Sequence, residues 1–356
     1  MRKSMKTILA ALVLATPLAL TSCEGTLDDV FGEWSRPSGN TNTDPTPAVS
    51  NNYMEWDGTA LAAKAIPTTG IQEVTDATTS FEGGFYIVKT DVTIPAPGIL
   101  INADTKLILC DGATLTVNGY FEDKSSTTTY SLTIYGQENQ IGKLIVNAPG
   151  GCCGTIVKDL EIHGGDINIT GSTGLAAINP SGDISIYGGK VTATGGDADD
   201  IMTGGPGIYC FTGNIVIDGN AQVNAYGGAG HISNDNGGYG ILLQSGDLTI
   251  SGTPTIVATS GSQRNAIDVA GTLTMSGGDV TATAVGNLGN GLECTSNPMA
   301  FSGGKVTASG STGADLGIDG TLSLSGGLQL YEAATADPTT LAGDQTACTK
   351  QYAIIK

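Results

Sequence analysis

Residues 160–171 read LEIHGGDINITG, and the phrase returns with variations. The copies are ISIYGGKVTATG (184–195), IVIDGNAQVNAYG (215–227), LTISGTPTIVATSG (248–261), LTMSGGDVTATA (273–284), MAFSGGKVTASG (299–310) and LSLSGGLQLY (322–331). Each is two short alternating runs joined at a glycine turn. A third run follows a loop, as in GLAAI (174–178), GIYCF (207–211), GILLQ (240–244) and GLECT (291–295). Alternation of period two sends successive side chains to opposite faces of a strand. The turn glycines Gly164, Gly188, Gly219, Gly252, Gly277, Gly303 and Gly326 are 24, 31, 33, 25, 26 and 23 residues apart. A unit this short has no means of burying its own apolar face, so the copies must stack on one another. The fold class is all-β: a single-stranded right-handed parallel β-helix of about nine coils with three short strands per coil, the hand following from the preference of parallel crossovers. A leucine-rich repeat is disfavoured because its Asn/Leu consensus is missing and two strands, not one, flank the turn.

The alternation also assigns facing. In residues 184–195 the inward set is Ile184, Ile186, Val191 and Ala193, and the outward set is Ser185, Tyr187, Lys190, Thr192 and Thr194. The same register sets Asp166 beside Lys190 and Asp279 beside Lys305 on successive coils. Earlier coils are visible in FYIVKTDVTI (85–94), LILCDGATLTV (107–117) and SLTIYGQ (131–137), so the array is expected to begin near Phe81 and to end near Tyr331. Residues 56–80 then form an N-terminal cap and 333–356 a C-terminal cap, since an open last coil exposes unpaired strand groups.

The chain has 356 residues, 53 of them Gly, with few aromatic and charged side chains. That composition suits a thin cylinder filled by Val, Ile, Leu and Ala better than a large globular core. Its 40% hydrophobic content excludes disorder for the repeat region. The net charge is −19; removal of Arg2, Lys3 and Lys6 with residues 1–22 leaves 12 basic against 34 acidic side chains, or −22. Such a balance excludes nucleic acid and anionic lipid as charge-driven partners. Gripping an acidic polysaccharide directly would need a bridging divalent cation.

Residues 1–22 read as an export signal, with basic MRKSMK before the apolar run ILAALVLATPLAL. The segment ends in Leu20-Thr21-Ser22-Cys23, which resembles the bacterial lipobox and implies lipid attachment at Cys23, a membrane anchor without a spanning helix. Residues 23–55, acidic and then rich in Pro, Ser, Asn and Thr, read as a flexible tether. The start SCEGTLDDVFGEW is similar to that of surface lipoproteins of the Bacteroidetes group, implying an outer-membrane, surface-exposed location. Of the remaining cysteines, Cys210 and Cys294 hold equivalent slots three coils apart, too far for a disulfide at about 4.8 Å per coil. The pairing of Cys110, Cys152, Cys153 and Cys348 stays open, and none has zinc-ligand spacing.

Two patches carry candidate chemistry. The first is the outward column before the turn glycine: Tyr135, His163, Tyr187 and Asp218, then four serines, flanked by Glu161. Sugars present C–H faces to aromatic rings and hydroxyls to carboxylates, so this strip reads as a glycan platform. An aromatic ladder that only stabilises the sheet is the competing reading. The second is the pair of enlarged loops GGDADDIMTGGPG (195–207) and GGAGHISNDNGGYG (227–240), expected to emerge side by side. Asp197, Asp199, Asp200 and Asp235, with Asn234 and Asn236, supply oxygens of the kind Ca²⁺ takes, although solvated turn residues have the same composition. For catalysis, Asp199, Asp200 and Arg264 are the candidates. The Asn-Thr-Asp, Gly-His-Gly and Arg-Ile-Lys motifs of β-helix lyases and hydrolases are missing, which favours a non-catalytic protein. Thr192 and Thr194, with Thr281 and Thr283, resemble the threonine rows of ice-binding solenoids. Asn168, Asn224 and Val257 interrupt them.

LTMSGGDVTATA and ADLGIDGTLSLSGG together resemble a bacterial carbohydrate-binding family with a pectate-lyase-like β-helix. In that family such strands alternate with Gly-Ile-Asp strands, matched here by 314–320 and 265–269. The resemblance implies non-catalytic polysaccharide binding, with Ca²⁺ as the associated ion. An adhesin or structural stalk and a polysaccharide lyase or hydrolase are the alternatives.

Overall fold

A computed structural model of the protein describes residues 50–124, 129–232, 235–312 and 314–356, together forming most of one compact unit spanning Pro47–Lys356. The export signal, Cys23, most of the tether and Asn234 lie outside the described residues. The chain is a parallel β-helix with three faces. Along the first face runs a continuous series from Ile71–Glu73 through Gly84–Val88, Leu132–Gly136, Ile184–Ile186 and Leu273–Met275 to the end of Ile318–Leu324. The second face is an eleven-stranded sheet from Val92–Ile94 onward; its last two strands run antiparallel to their neighbours, leaving nine in parallel. The third face holds short strands such as Ile208–Cys210, Ile241–Leu243 and Ile267–Val269. Among the described residues no helix is long and apolar enough to cross a membrane.

Register follows the repeated phrase residue for residue. Asp166 lies opposite Lys190 and Asp279 opposite Lys305, with 3.9 Å between the latter charged groups. Both side chains of that pair are about half exposed, so it fixes alignment more than it stabilises. The inward set Ile184, Ile186, Val191 and Ala193 is fully buried, stacked on Ile215, Ile217, Val223 and Ala225 of the next rung. Cys210 and Cys294 occupy the same inward column, separated by Leu243 and Val269. All six described cysteines are free thiols. Burial pushes the Cys110 and Cys210 thiols up to about 11, which suppresses the reactive thiolate.

The N-terminal end departs from expectation. The solenoid starts at Ile71–Glu73, not near Phe81, because that short strand already pairs in parallel with Gly84–Val88. Residues 52–65 are neither tether nor end cap. They form an antiparallel hairpin, Asn52–Trp56 with Leu61–Ala65, that leaves the helix axis and lies against the first face. At the other end Tyr352–Ile355 pairs antiparallel with Lys305–Ser309, and Leu330–Ala333 pairs outside it. Reversing strand direction satisfies the open edge and ends the parallel stacking.

The enlarged loops emerge side by side, as Ala198 N–H donates to the Ala229 carbonyl at 2.8 Å. They leave and re-enter the rod through a seam of glycines. Gly205 donates to Gly196, Gly228 to Gly205, Gly238 to Gly228 and Gly261 to Gly238, all at 2.7–2.9 Å. The backbones are so close that a Cβ on Gly205 would sit 2.0 Å from the Leu175 carbonyl oxygen, and one on Gly238 would sit 1.9 Å from that of Gly205. No side chain is available to give way there. Gly205→Ala is therefore expected to destabilise the protein by about 3 kcal/mol or more in denaturant unfolding. Gly343→Ala, which meets no atom within 4 Å, should stay within about 0.5 kcal/mol.

Candidate functional site

The column of Tyr135, His163 and Tyr187 forms as the repeat spacing requires. The Tyr135 ring and the His163 imidazole stack with centroids 4.7 Å apart and planes 16° from parallel, and Tyr187 follows at 5.3 Å. The open strip expected from the sequence is not there, however. Tyr135 is 2% and His163 3% exposed, because the hairpin 52–65 covers them. Tyr53 presses edge-on against Tyr135 at 4.7 Å, and Trp56 stacks on Tyr187 at 5.4 Å with planes 5° apart. Outward-facing on a β-helix is thus not the same as accessible. An aromatic ladder is the apolar stripe on which another element docks.

Polar bonds fix that docking. The Trp56 backbone N–H donates to His163 Nδ1 at 2.8 Å, and His163 Nε2 lies 3.2 Å from Glu161 Oε1. The imidazole therefore works as a neutral Nε2–H tautomer, accepting from the hairpin on one side and donating to Glu161 on the other. Tyr135 Oη donates to Glu55, and the fully buried Gln137 amide donates to the carbonyls of Ser50 and Asn52. Burial pushes the Tyr135 phenol up, so it stays a donor. The His163 bond holds the Glu161 carboxyl below its ordinary value.

Where the hairpin turns, a cleft of about 650 Å³ opens between its tip and the turns of two successive rungs. The tip is tied by Asp57, whose Oδ1 accepts from the N–H groups of Thr59 and Ala60, each at 2.9 Å. Trp56 and Leu61 supply the apolar wall; Asp218, Asn220, Ser251 and Thr253 supply the polar one. Asp218 and Ser251 are the members of the sequence-derived strip that reach this opening, the Asp218 Oδ1 accepting from Gly219 N–H at 2.6 Å. Glu161 is part-exposed but engaged by His163, and Tyr187 is stacked beneath Trp56. Sequence reasoning missed Trp56 as a site residue. The available signal was Asp57-Gly58 between two short runs, a hairpin turn dipeptide.

The four candidate metal-binding aspartates do not converge. Asp197 Oδ1 accepts from Ala229 N–H, and Asp199 Oδ1 from Ile201 and Met202 N–H, which hold the Asp199 carboxyl below its usual value. Asp200 lies 3.4 Å from His231, and Asp235 accepts from Asn287. Asp199 is spent on its own turn, and the other three each engage a different partner on a neighbouring loop. Among the described residues no group of three or more His, Cys, Asp or Glu is placed to hold a metal ion. Arg264 is not aimed at Asp199 or Asp200 as a catalytic partner; it lies over the Tyr239 ring at 5.4 Å. Comparison with protein families, with curated proteins and with solved structures returns no match.

Two outcomes test the hairpin lock. His163→Leu removes the acceptor of the Trp56 N–H, with an expected loss of about 1–3 kcal/mol and faster amide exchange at Trp56. Unchanged exchange would place the lock elsewhere. Because the folded state lowers the Glu161 pKa from 4.5, its contribution is complete above about pH 4.5 and is lost as pH falls through the depressed value. Glu161→Gln should therefore remove part of the acid destabilisation seen in thermal melts below that pH.

Proposed function

We propose that the chain is a non-catalytic glycan-binding module whose binding site is the cleft beside Trp56. One observation carries this reading: an indole held rigid by its stack on Tyr187, next to a carboxylate, an amide and two hydroxyls in an open cleft. A pyranose offers a C–H face for the indole and hydroxyls for Asp218, Asn220, Ser251 and Thr253. Sites of this kind are apolar walls with a few placed polar groups. The cleft presents a single carboxylate, so calcium is not needed to screen charge within it, in contrast to the calcium-assisted binding implied by the family resemblance. Lipid attachment at Cys23 would hold the module at the outer-membrane surface, where several weak contacts add up through avidity.

A second reading, an adhesive contact with protein, draws on the tips of the enlarged loops. There Ile201 is 90% and Ile232 99% exposed, unusual for aliphatic side chains. The two separate cleanly. On a glycan array, Trp56→Ala and Asp218→Ala should each weaken binding at least about tenfold, roughly 1.4 kcal/mol, with EDTA without effect. Absence of glycan binding, together with protein adhesion lost in Ile201→Ser/Ile232→Ser, would establish the adhesive reading instead. Lipid labelling of the exported protein should disappear in Cys23→Ala.

A further inference from the structure

The described part of the chain contains one arginine, Arg264, in a protein with net charge −19. Acidic side chains outnumber basic ones by more than two to one, yet Arg264 forms no ion pair with any described residue. Its guanidinium carbon instead lies 5.4 Å from the centroid of the Tyr239 ring. The residue before it, Gln263, adopts φ 60°, a left-handed conformation that a side-chain-bearing residue takes only when its surroundings enforce it. On the third face Arg264 and Tyr239 line a hollow of about 280 Å³ whose other walls include Leu175, Leu242, Pro206 and Tyr209, with the Asn179 amide among the polar groups.

The neighbouring acids take their hydrogen bonds from amides, and the guanidinium acts on Asp268 only through space. Asp268 and Glu293, on successive rungs, both accept from Asn265 Nδ2 at 2.8 Å, and Glu293 accepts again from Asn290 Nδ2 at 2.8 Å. These amides satisfy the carboxylates, while Arg264 keeps to Tyr239, by ring contact and by a side-chain hydrogen bond, with the rest of its planar fork of donors in no ion pair with a described residue. A guanidinium stacked on a ring keeps its N–H edges free for bidentate bonding. Pocket volume at the lower edge of the usual range, about 300–1,000 Å³, limits the occupant to a single ring with its substituents. Two carboxylates, Asp268 and Glu293, stand near the one guanidinium, so the net local charge is negative and each extra negative charge on a ligand is penalised, which favours a monoanion over phosphate.

We infer that this hollow is a receptor for a carboxylate borne on a compact ring, the acid pairing with Arg264 and the ring packing between Tyr209, Tyr239 and Leu242. A sugar acid and an aromatic acid share this chemistry. The site is separate from the Trp56 cleft and does not depend on glycan binding there.

The test is a titration of the full chain with glucuronate and with benzoate, followed by ligand-observed NMR, beside glucose, benzyl alcohol and inorganic phosphate. At least one of the two acids should bind while the neutral rings and phosphate do not. Glucuronate alone assigns the site to sugar acids and benzoate alone to aromatic acids. Arg264→Gln should weaken the acid roughly 10- to 100-fold, the worth of a charge-assisted pair, and Arg264→Lys less. Leu242→Trp, which fills the hollow and leaves Arg264 in place, should abolish binding, and it keeps the test decisive should Arg264→Gln not fold. Trp56→Ala should leave acid binding unchanged, so failure of the cleft and failure of the hollow are read apart. Equal binding of the neutral rings, phosphate binding as tight as the acids, or acid binding unaltered in Leu242→Trp overturns the proposal.

Discussion

Each rung of this protein contributes a handful of small aliphatic side chains to the interior, and none of them is covered by its own rung. Ile184, Ile186, Val191 and Ala193 reach zero exposure only because the rungs before and after present the same residue types in the same register. The stacking of like on like is the constraint from which the rest follows. It demands parallel strands, turns that occupy the same place in every repeat, and end structures that stop the stack. It also places residues two dozen positions apart in direct contact, which is how Tyr135, His163 and Tyr187 come to form one column.

That column shows how the rod recruits an element outside the repeat. A row of rings on an exterior face is an apolar stripe surrounded by polar groups, and the hairpin supplies Tyr53 and Trp56 to cover it. His163 sits at the centre, with one nitrogen turned to the hairpin backbone and the other to Glu161. Where its tip overhangs the turns bearing Asp218 and Ser251, the docked hairpin leaves a cleft open beside the covered stripe. The cleft is thus a product of docking, with one wall from the repeat and one from outside it.

The sequence was most legible where the repeat governs. Inward and outward assignment, the Asp166–Lys190 and Asp279–Lys305 registers, and the shared column of Cys210 and Cys294 all follow from period-two alternation and rung length. Legibility failed where a contact joins the repeat to something non-repetitive. Nothing in the spacing of Tyr135, His163 and Tyr187 tells that residues 52–65 fold back over them, since the contact spans about a hundred residues and obeys no period. The aspartates of the enlarged loops illustrate another gap. Composition collects Asp197, Asp199, Asp200 and Asp235 into a cluster, while backbone amides claim the first two and the side chains of His231 and Asn287 the others.

The glycine seam bears on how such a rod changes over time. Chain that exits at Gly195-Gly196 and returns at Gly204-Gly205 passes through a gate with room for backbone alone, and the next rung repeats the arrangement at Gly227-Gly228 and Gly237-Gly238. Whatever lies between exit and return is free to lengthen, shorten or alter its chemistry without disturbing the stacked interior. Variation among descendants of this sequence should therefore concentrate between paired glycines, with the pairs themselves held fixed, so that new surfaces can be grafted onto an unaltered frame.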